Sequence, residues 1–247
     1  MLIEQCAYTN RWRRVSPAAK GIFSLCGMVA AYAAATPVTA CSVAAVLGTA
    51  TVLGAGLPLG RYLRVACPAL IFLAVSVLSI AVSVKIGDTV GDFTLHLART
   101  ELPRVAQVCG RSLGGLASLL FLAMTTPMID IIALLRRLRA PEVSLDIMTL
   151  CYRTLFVFSE AVHDTITAQS ARLGYAGVRL SIRSLGGLVA NITAQVWQHS
   201  HALHLAAAAR NNYGPLRFLE PEYPRRCISL FTSALCGGIL IVLAVAA

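Results

Sequence analysis

The sequence has few charged residues, and only a third of those are acidic. Asp, Glu, Lys and Arg make up 13% of the 247 residues, against about 25% in a soluble globular domain. Hydrophobic residues make up 57%, which excludes a disordered chain, because disorder requires low hydrophobicity. Lys and Arg number 21 against 11 Asp and Glu, but a nucleic-acid-binding domain would carry its basic residues densely on a soluble fold. The composition therefore predicts an integral membrane protein with basic extramembrane segments.

The sequence also lacks the motifs that carry zinc, redox or nucleotide chemistry. None of the eight cysteines forms a C-x-x-C pair, so neither a zinc site nor a dithiol site is predicted. It contains no G-x-x-x-x-G-K-[ST] loop, so any ATP that drives this protein must bind to another subunit. A membrane-embedded enzyme needs ionisable residues inside the membrane, and the apolar runs contain almost none. We therefore do not expect an enzyme.

Long uncharged runs, by contrast, recur along the chain. A helix that crosses a bilayer needs about 20 mostly apolar residues. The runs that approach this length are 21–35, 38–59, 65–84, 105–125 and 228–247. The fourth run contains one basic residue, Arg111, for which the sequence shows no intramembrane partner. We predict an all-α integral membrane protein with about five transmembrane helices and a polar loop over 85–103.

The segment 127–226 differs in character from the apolar runs. Its charges recur every few positions, and Asp146, Arg153 and Glu160 lie seven residues apart. This spacing puts them on one stripe of a long helix whose remaining surface is apolar. Such a helix is too polar to face lipid and too apolar to stand alone in water, so it should pack against other helices or a partner subunit. The predicted domains are 1–126 (tail and four transmembrane helices), 127–226 (long cytoplasmic helices) and 227–247 (last transmembrane helix).

The distribution of basic residues predicts the orientation in the membrane. The N-terminal tail, the turn after the second run and the segment 127–226 together hold 17 of the 21 Lys and Arg residues. Cytoplasmic loops of membrane proteins carry such an excess. We therefore expect a multi-pass membrane protein with the N-terminus and 127–226 in the cytoplasm and the C-terminus outside.

Two stretches of the cytoplasmic segment share a pattern that is typical of a helix end. Residues 171–175 are Ala-Arg-Leu-Gly-Tyr, and residues 209–214 are Ala-Arg-Asn-Asn-Tyr-Gly. A small Ala permits close approach of another backbone, Arg offers a planar fork of five donors, and Gly lets a helix stop in a left-handed conformation. Two such ends suit two equivalent pockets on a partner. The alternative is a chance pairing, since Ala-Arg is common in any Arg-rich helix.

Further matches to a known family lie in order along nearly the whole chain. They are Ala7-Tyr8-Thr9-Asn10-Arg11-Trp12-Arg13, Ser16-Pro17, Lys20, Ala55-Gly56-Leu57-Pro58, Thr125-Thr126-Pro127, Leu134-Leu135-Arg136-Arg137-Leu138-Arg139, Tyr152-Arg153, Gln169–Tyr175, Ala209-Arg210, Tyr213-Gly214 and Leu216-Arg217. In these residues the chain resembles CbiQ, the transmembrane (T) component of energy-coupling-factor (ECF) cobalt transporters. The resemblance implies an EcfT-like fold with transmembrane helices and long cytoplasmic coupling helices.

The resemblance also implies which residues couple the chain to its partners. In this family two Ala-Arg motifs end two coupling helices, and each inserts into a groove on one of two ATP-binding subunits. The matching residues are Ala171, Arg172 and Leu173 in the first motif, and Ala209, Arg210 and Asn211 in the second. The commonest form of the motif has Gly third. Leu173 is usual for the cobalt branch, and Asn211 is a residue type that can adopt the left-handed conformation.

The implied partners supply the chemistry that this chain lacks. They are two copies of a CbiO-like ATP-binding subunit, a CbiM-like substrate-capture membrane protein and often a small CbiN-like accessory. ATP and Mg²⁺ would be bound by the ATPase and cobalt by the capture subunit, so no cofactor is expected in this chain. Closure and reopening of the ATPase pair would move the coupling helices, and these would drive the capture subunit. A nickel or vitamin ECF T component and a purely structural scaffold are the alternatives.

Three histidines near the second motif suggest a metal site. His199, His201 and His204 fall within six residues, and a helix would place His201 and His204 on one face. Neutral imidazole suits Co²⁺ or Ni²⁺. We nevertheless expect these side chains to form a surface that faces solvent or another subunit, with a metal site as the alternative.

Overall fold

The structure is a computed structural model that describes residues 2–86, 93–97, 102–211 and 226–246. The helices are α1 (Leu2–Thr9), α2 (Pro17–Ala33), α3 (Pro37–Thr49), α4 (Leu59–Ala81), α5 (Leu102–Thr125), α6 (Met128–Arg137), α7 (Glu142–Ala171), α8 (Val178–Ala209) and α9 (Arg226–Ala246), with a 3-10 helix (Arg11–Arg14) and a π-helical turn (Ala50–Gly54). The predicted all-α fold is confirmed. The one addition is a short antiparallel hairpin, β1 (Val82–Ile86) and β2 (Phe93–Leu97), in and beside the segment predicted as a loop.

The chain divides into two units. The first, here called the bundle unit, comprises Met1–Leu134 and Pro221–Ala247, and the second, here called the helix-pair unit, comprises Leu135–Glu220. The bundle unit contains α2, α3, α4, α5 and α9, and the helix-pair unit contains α7 and α8. The three domains drawn from the sequence, with boundaries after 126 and 226, stay a prediction.

Among the described residues of the bundle unit, four helical segments are long and apolar enough to cross a membrane. They are Pro37–Gly54, Leu59–Ile80, Pro103–Thr125 and Cys227–Ala246. They correspond to the last four of the five predicted runs. The first run falls in α2, which has only 17 residues and so is about 25 Å long, less than the roughly 30 Å of a hydrocarbon core.

Small residues let the helices of the bundle unit pack closely. A Cβ on Gly114 of α5 would lie 2.4 Å from the Cβ of Ala31 in α2, and one on Gly110 would lie 3.0 Å from the Cβ of Ala40 in α3. The side chain of Leu47 is fully buried in the same core. Small residues at such contacts allow helix backbones to approach one another in membrane proteins. The core therefore forms where α2 and α3 meet α5.

Arg111 has a partner that the sequence did not reveal. Its Nη2 donates a hydrogen bond to the carbonyl of Ala34 at 3.3 Å, and Gln107 Nε2 donates to the carbonyl of Ala35 at 3.3 Å. The last carbonyls of a helix have no intrahelical donor. Arg111 therefore satisfies a backbone group at the end of α2, 77 residues away in sequence.

The helix-pair unit is a helical hairpin with an apolar surface. Gln169 bonds to Ser184 near the turn, and Phe158 contacts His199 farther along, so α7 and α8 run antiparallel. Both helices are described throughout, and each has one buried residue, Leu145 in α7 and Leu188 in α8. Many of their other apolar side chains are exposed, Trp197 to 78%.

Candidate coupling site

The helices α7 and α8 end in the same backbone geometry. The residue after each helix is an arginine, Arg172 with φ −96° and ψ 17° and Arg210 with φ −93° and ψ 9°. The residue after each arginine is left-handed, Leu173 with φ 58° and Asn211 with φ 52°. Among the described residues, Arg139 is the only other non-glycine with positive φ. Both motifs therefore place their third residue in the conformation that glycine adopts most easily.

The hydrogen bonds at the two ends repeat as well. At each end the arginine amide donates to the carbonyl three residues earlier at 3.1 Å, and the next amide does the same at 3.0 Å. At the first end, the amide of Gly174 also donates to the carbonyl of Gln169 at 2.9 Å. The bonds donated by the amides of Leu173 and Gly174 are the two bonds of a Schellman motif, in which a left-handed residue terminates a helix.

The first end is fixed against the start of α8. Gln169 Nε2 donates to the carbonyl of Ser184 at 3.0 Å, and Gln169 Oε1 accepts from Tyr175 Oη at 2.6 Å. Ser184 Oγ donates to the carbonyl of Gly174 at 2.8 Å. A Cβ on Gly174 would lie 2.7 Å from Ser184 Oγ, so the turn has room for glycine alone. The sequence pattern pointed to Gln169, Gly174 and Tyr175 but missed Ser184, which lies outside the motif.

All six predicted coupling residues are exposed. They are Ala171, Arg172, Leu173, Ala209, Arg210 and Asn211. Leu173 is 72% exposed, so this leucine is unusual both in its exposure and in its left-handed conformation. Neither guanidinium has a hydrogen bond or an ion pair with any residue that the structure describes. Each arginine therefore presents its five donors to solvent or to a partner.

The two ends are far apart along the hairpin. The first lies at the turn between α7 and α8, and the second lies at the far end of α8, which has 32 residues. A helix of that length measures about 48 Å. Each end is therefore able to contact a separate protein subunit.

The three candidate histidines lie on the surface of α8. His199, His201 and His204 are exposed on α8, and His199 stacks edge-on against Phe158 with ring centroids 6.0 Å apart. Within the described ranges, no group of three His, Cys, Asp or Glu side chains converges as metal ligands would.

A second cluster lies at one end of the bundle unit, where several of the segments that resemble CbiQ are in contact. The sequence did not reveal this cluster. Asn10 Nδ2 and Lys20 Nζ both donate to the carbonyl of Thr125, at 2.9 and 2.8 Å. Lys20 lies near the start of α2, outside the four membrane-length segments. Burial lowers the pKa of Lys20 from 10.5 to about 8, the Asp130 carboxylate opposes this shift, and Arg13 adds to it. The N-terminal residues Asn10 and Lys20 therefore meet the end of α5, more than 100 residues away in sequence.

The 3-10 helix ties the turn before α4 into the same cluster. The amide of Arg11 donates to the carbonyl of Ala55 at 3.0 Å. A Cβ on Gly54 would lie 2.6 Å from the ring of Trp12, and Gly56, with φ 72°, packs against the Arg11 side chain. The segments Ala7–Arg13, Ala55–Pro58 and Thr125–Pro127 are separate in the sequence, and only the fold brings them into contact.

Comparison with known proteins identifies the family of the chain. The family model of CbiQ, a cobalt transport protein, matches residues 9–218. The chain belongs to the CbiQ family. The resemblance drawn from the sequence is thereby confirmed, and the family is one of transport components rather than enzymes. Membership implies a component of a cobalt transporter, and together with the four membrane-length segments it indicates a multi-pass membrane protein.

Individual CbiQ relatives align over most or part of the chain. The cobalt transport protein CbiQ of Rhodobacter capsulatus is 30% identical, over 97% of this chain and 98% of that protein. The CbiQ of Salmonella typhimurium is 26% identical, over 75% of this chain and 85% of that protein. A putative fused cobalt transport protein CbiMQ of Methanocorpusculum labreanum is 30% identical over 54% of this chain and 22% of that protein.

Proposed function

We propose that this CbiQ-family protein is the transmembrane coupling component of an ATP-driven ECF importer for cobalt ions. The observation that carries the proposal is the shared geometry of the two Ala-Arg ends. Each has an exposed guanidinium that finds no partner among the residues that the structure describes, followed by a left-handed residue. A chance Ala-Arg pair would have no reason to recur at both helix ends with the same backbone dihedrals and the same hydrogen bonds.

The two ends suit docking to two copies of one ATP-binding subunit. A guanidinium binds a carboxylate or backbone carbonyls through several donors at once. The exposed alanine before it lets a partner backbone approach, and the left-handed residue turns the chain away from the helix axis. Because the ends are equivalent in geometry, two identical grooves would accept them. ATP and Mg²⁺ would be held by those subunits.

The hairpin itself is suited to transmit motion. The bonds among Gln169, Ser184, Gly174 and Tyr175 fix the first end to the start of α8. A displacement of that end by an ATPase would therefore move α8 as well. The exposed apolar side chains of α7 and α8 offer a surface on which a membrane-embedded partner would lie.

The fused CbiMQ relative supports a CbiM-like capture subunit as that partner, because fusion joins proteins that work together. A small CbiN-like accessory is also expected. The excess of basic residues supports an inner-membrane protein with the N-terminus and the helix-pair unit in the cytoplasm and the C-terminus outside. The match to a cobalt family favours cobalt over the nickel and vitamin alternatives.

The proposal is tested by the composition of the purified transporter. We expect wild type to carry two ATP-binding subunits per chain, and Arg172→Ala or Arg210→Ala to lose ATPase from the complex. Arg179→Ala is the matched control, since Arg179 is an exposed arginine at the start of α8. A double Arg172→Ala/Arg210→Ala variant that retained two ATPase copies would contradict the proposal. Uptake of Co²⁺ and Ni²⁺ by the same complex decides between the two metals.

A further inference from the structure

The bundle unit contains an open groove that the coupling function does not use. It holds about 560 Å³ of space and lies against α2, α5 and α9. Most of its wall is apolar, and Phe23, Phe121, Ile239 and Leu240 contribute to it. Phe121 stacks edge-on against both Phe23 and Trp12, with ring centroids 5.2 and 5.8 Å apart. The wall is therefore a packed aromatic and aliphatic surface.

One end of the groove is polar. The helices α2 and α9 run in the same direction, since Ser233 contacts Ala19 and Gly237 packs against Cys26. Lys20 and Thr232 therefore line the groove near the start of both helices, whereas Leu240 lines it farther along. From residue 229 to residue 240 the groove follows about 16 Å of helix.

Lys20 places a cation at that polar end, and not all of its hydrogen-bond donors are used. Its side chain is 2% exposed, and its ammonium donates one hydrogen bond, to the carbonyl of Thr125. An ammonium has three donors, and in the described part of the chain the other two have no partner. Asp130 and Arg13, which have opposite charges, both lie within electrostatic range of this ammonium. A buried ammonium with unfilled donors is costly unless an anion pairs with it.

We propose that the groove binds an anionic phospholipid, with one acyl chain along the apolar wall and the headgroup phosphate at Lys20. Charge complementarity at one end and an apolar wall beyond it match the two parts of such a lipid. An apolar helix of a partner subunit would fill the wall but would leave the Lys20 ammonium without an anion. A free anion would leave the apolar wall empty.

Trp12 lines the groove and reports on its occupant. The chain has two tryptophans, so Trp197→Phe leaves Trp12 as the single fluorophore. The full-length variant is reconstituted in phosphatidylcholine vesicles that contain acyl-brominated phosphatidylglycerol or, separately, acyl-brominated phosphatidylcholine. We expect brominated phosphatidylglycerol to quench Trp12 with about fivefold higher apparent affinity, which corresponds to about 1 kcal/mol for one basic residue. Equal quenching by the two lipids would overturn the proposal.

Two further variants separate the headgroup from the acyl chain. Lys20→Met in the same background should remove the preference for phosphatidylglycerol. Cys236→Phe changes an exposed position that lines the groove and does not touch the Lys20 cluster. This variant should reduce quenching by both lipids. Unchanged quenching would refute acyl-chain binding, even if Lys20→Met failed to fold. Addition of the purified capture subunit tests the partner helix. Quenching that persists supports a bound lipid, and quenching that disappears assigns the groove to the partner.

Discussion

The turn between α7 and α8 provides a sharp test of whether the first coupling end must be rigid. An alanine at Gly174 would put its Cβ 2.7 Å from Ser184 Oγ and 2.9 Å from the carbonyl oxygen of Gln169. The second contact is with backbone, so a side-chain rotation cannot relieve it. The turn must open, at the expense of the three hydrogen bonds that hold it. Such bonds contribute about 1 kcal/mol each, so we expect a loss of about 2–3 kcal/mol.

Thermal unfolding of the purified full chain measures this loss, and we expect the melting temperature to fall by about 5–10 °C. ATP-driven Co²⁺ uptake should fall as well, because an ATPase would then displace a loose end. Gly186→Ala is the control, since a Cβ there meets nothing within 4 Å, and alanine in a helix should stabilise by about 0.5–1 kcal/mol. The double variant Gly174→Ala/Ser184→Ala should recover part of the stability by removing one of the two clashes. Unchanged melting and uptake in Gly174→Ala would refute the reasoning.

Three further predictions follow from the same structure. Gly114→Val should destabilise the bundle unit by several kcal/mol, because its side chain would enter the space of Ala31, whereas Gly115→Ala, which meets nothing within 4 Å, should be tolerated in the same melting assay. Asn211→Gly should retain uptake and Asn211→Val should lose it, because a β-branched residue rarely adopts positive φ. With the pKa of Lys20 near 8 in the fold and 10.5 as the reference, the unfolded chain binds more protons between these values, so stability should rise as pH increases from 8 to 10. Lys20→Met should lack this rise, and an identical pH profile in both proteins would contradict the burial of a charged Lys20.

Most of the bundle unit was predictable because apolar runs of membrane length carry a strong signal. The limits of that signal show at α2, where the run 21–35 is uncharged but the helix is only 17 residues long. Its neighbours α5 and α9 contact it through small residues such as Gly114 and Gly237. The partner of Arg111 was hidden for a different reason, since it is a backbone carbonyl at the end of another helix.

The two Ala-Arg helix ends were visible in the sequence as a pattern, but their geometry was not predictable. Their Ala-Arg pairs stand in the sequence, yet leucine is a poor indicator of a left-handed residue, and only the fold shows Leu173 in that conformation. The contact between Gln169 and Ser184 spans 15 residues and depends on the hairpin. The cluster of Asn10, Lys20 and Thr125 was hidden for the same reason, because Thr125 lies more than 100 residues from the other two and meets them only in the folded bundle.

The central claim is that the two arginine ends couple ATP hydrolysis to cobalt movement, and one measurement tests it most directly. Proteoliposomes are prepared with the complete transporter that carries wild type, Arg179→Ala or the double variant Arg172→Ala/Arg210→Ala, and Co²⁺ uptake is recorded with and without ATP. The account predicts that ATP-driven uptake is lost in the double variant and unchanged in Arg179→Ala. Wild-type uptake by the double variant would contradict it.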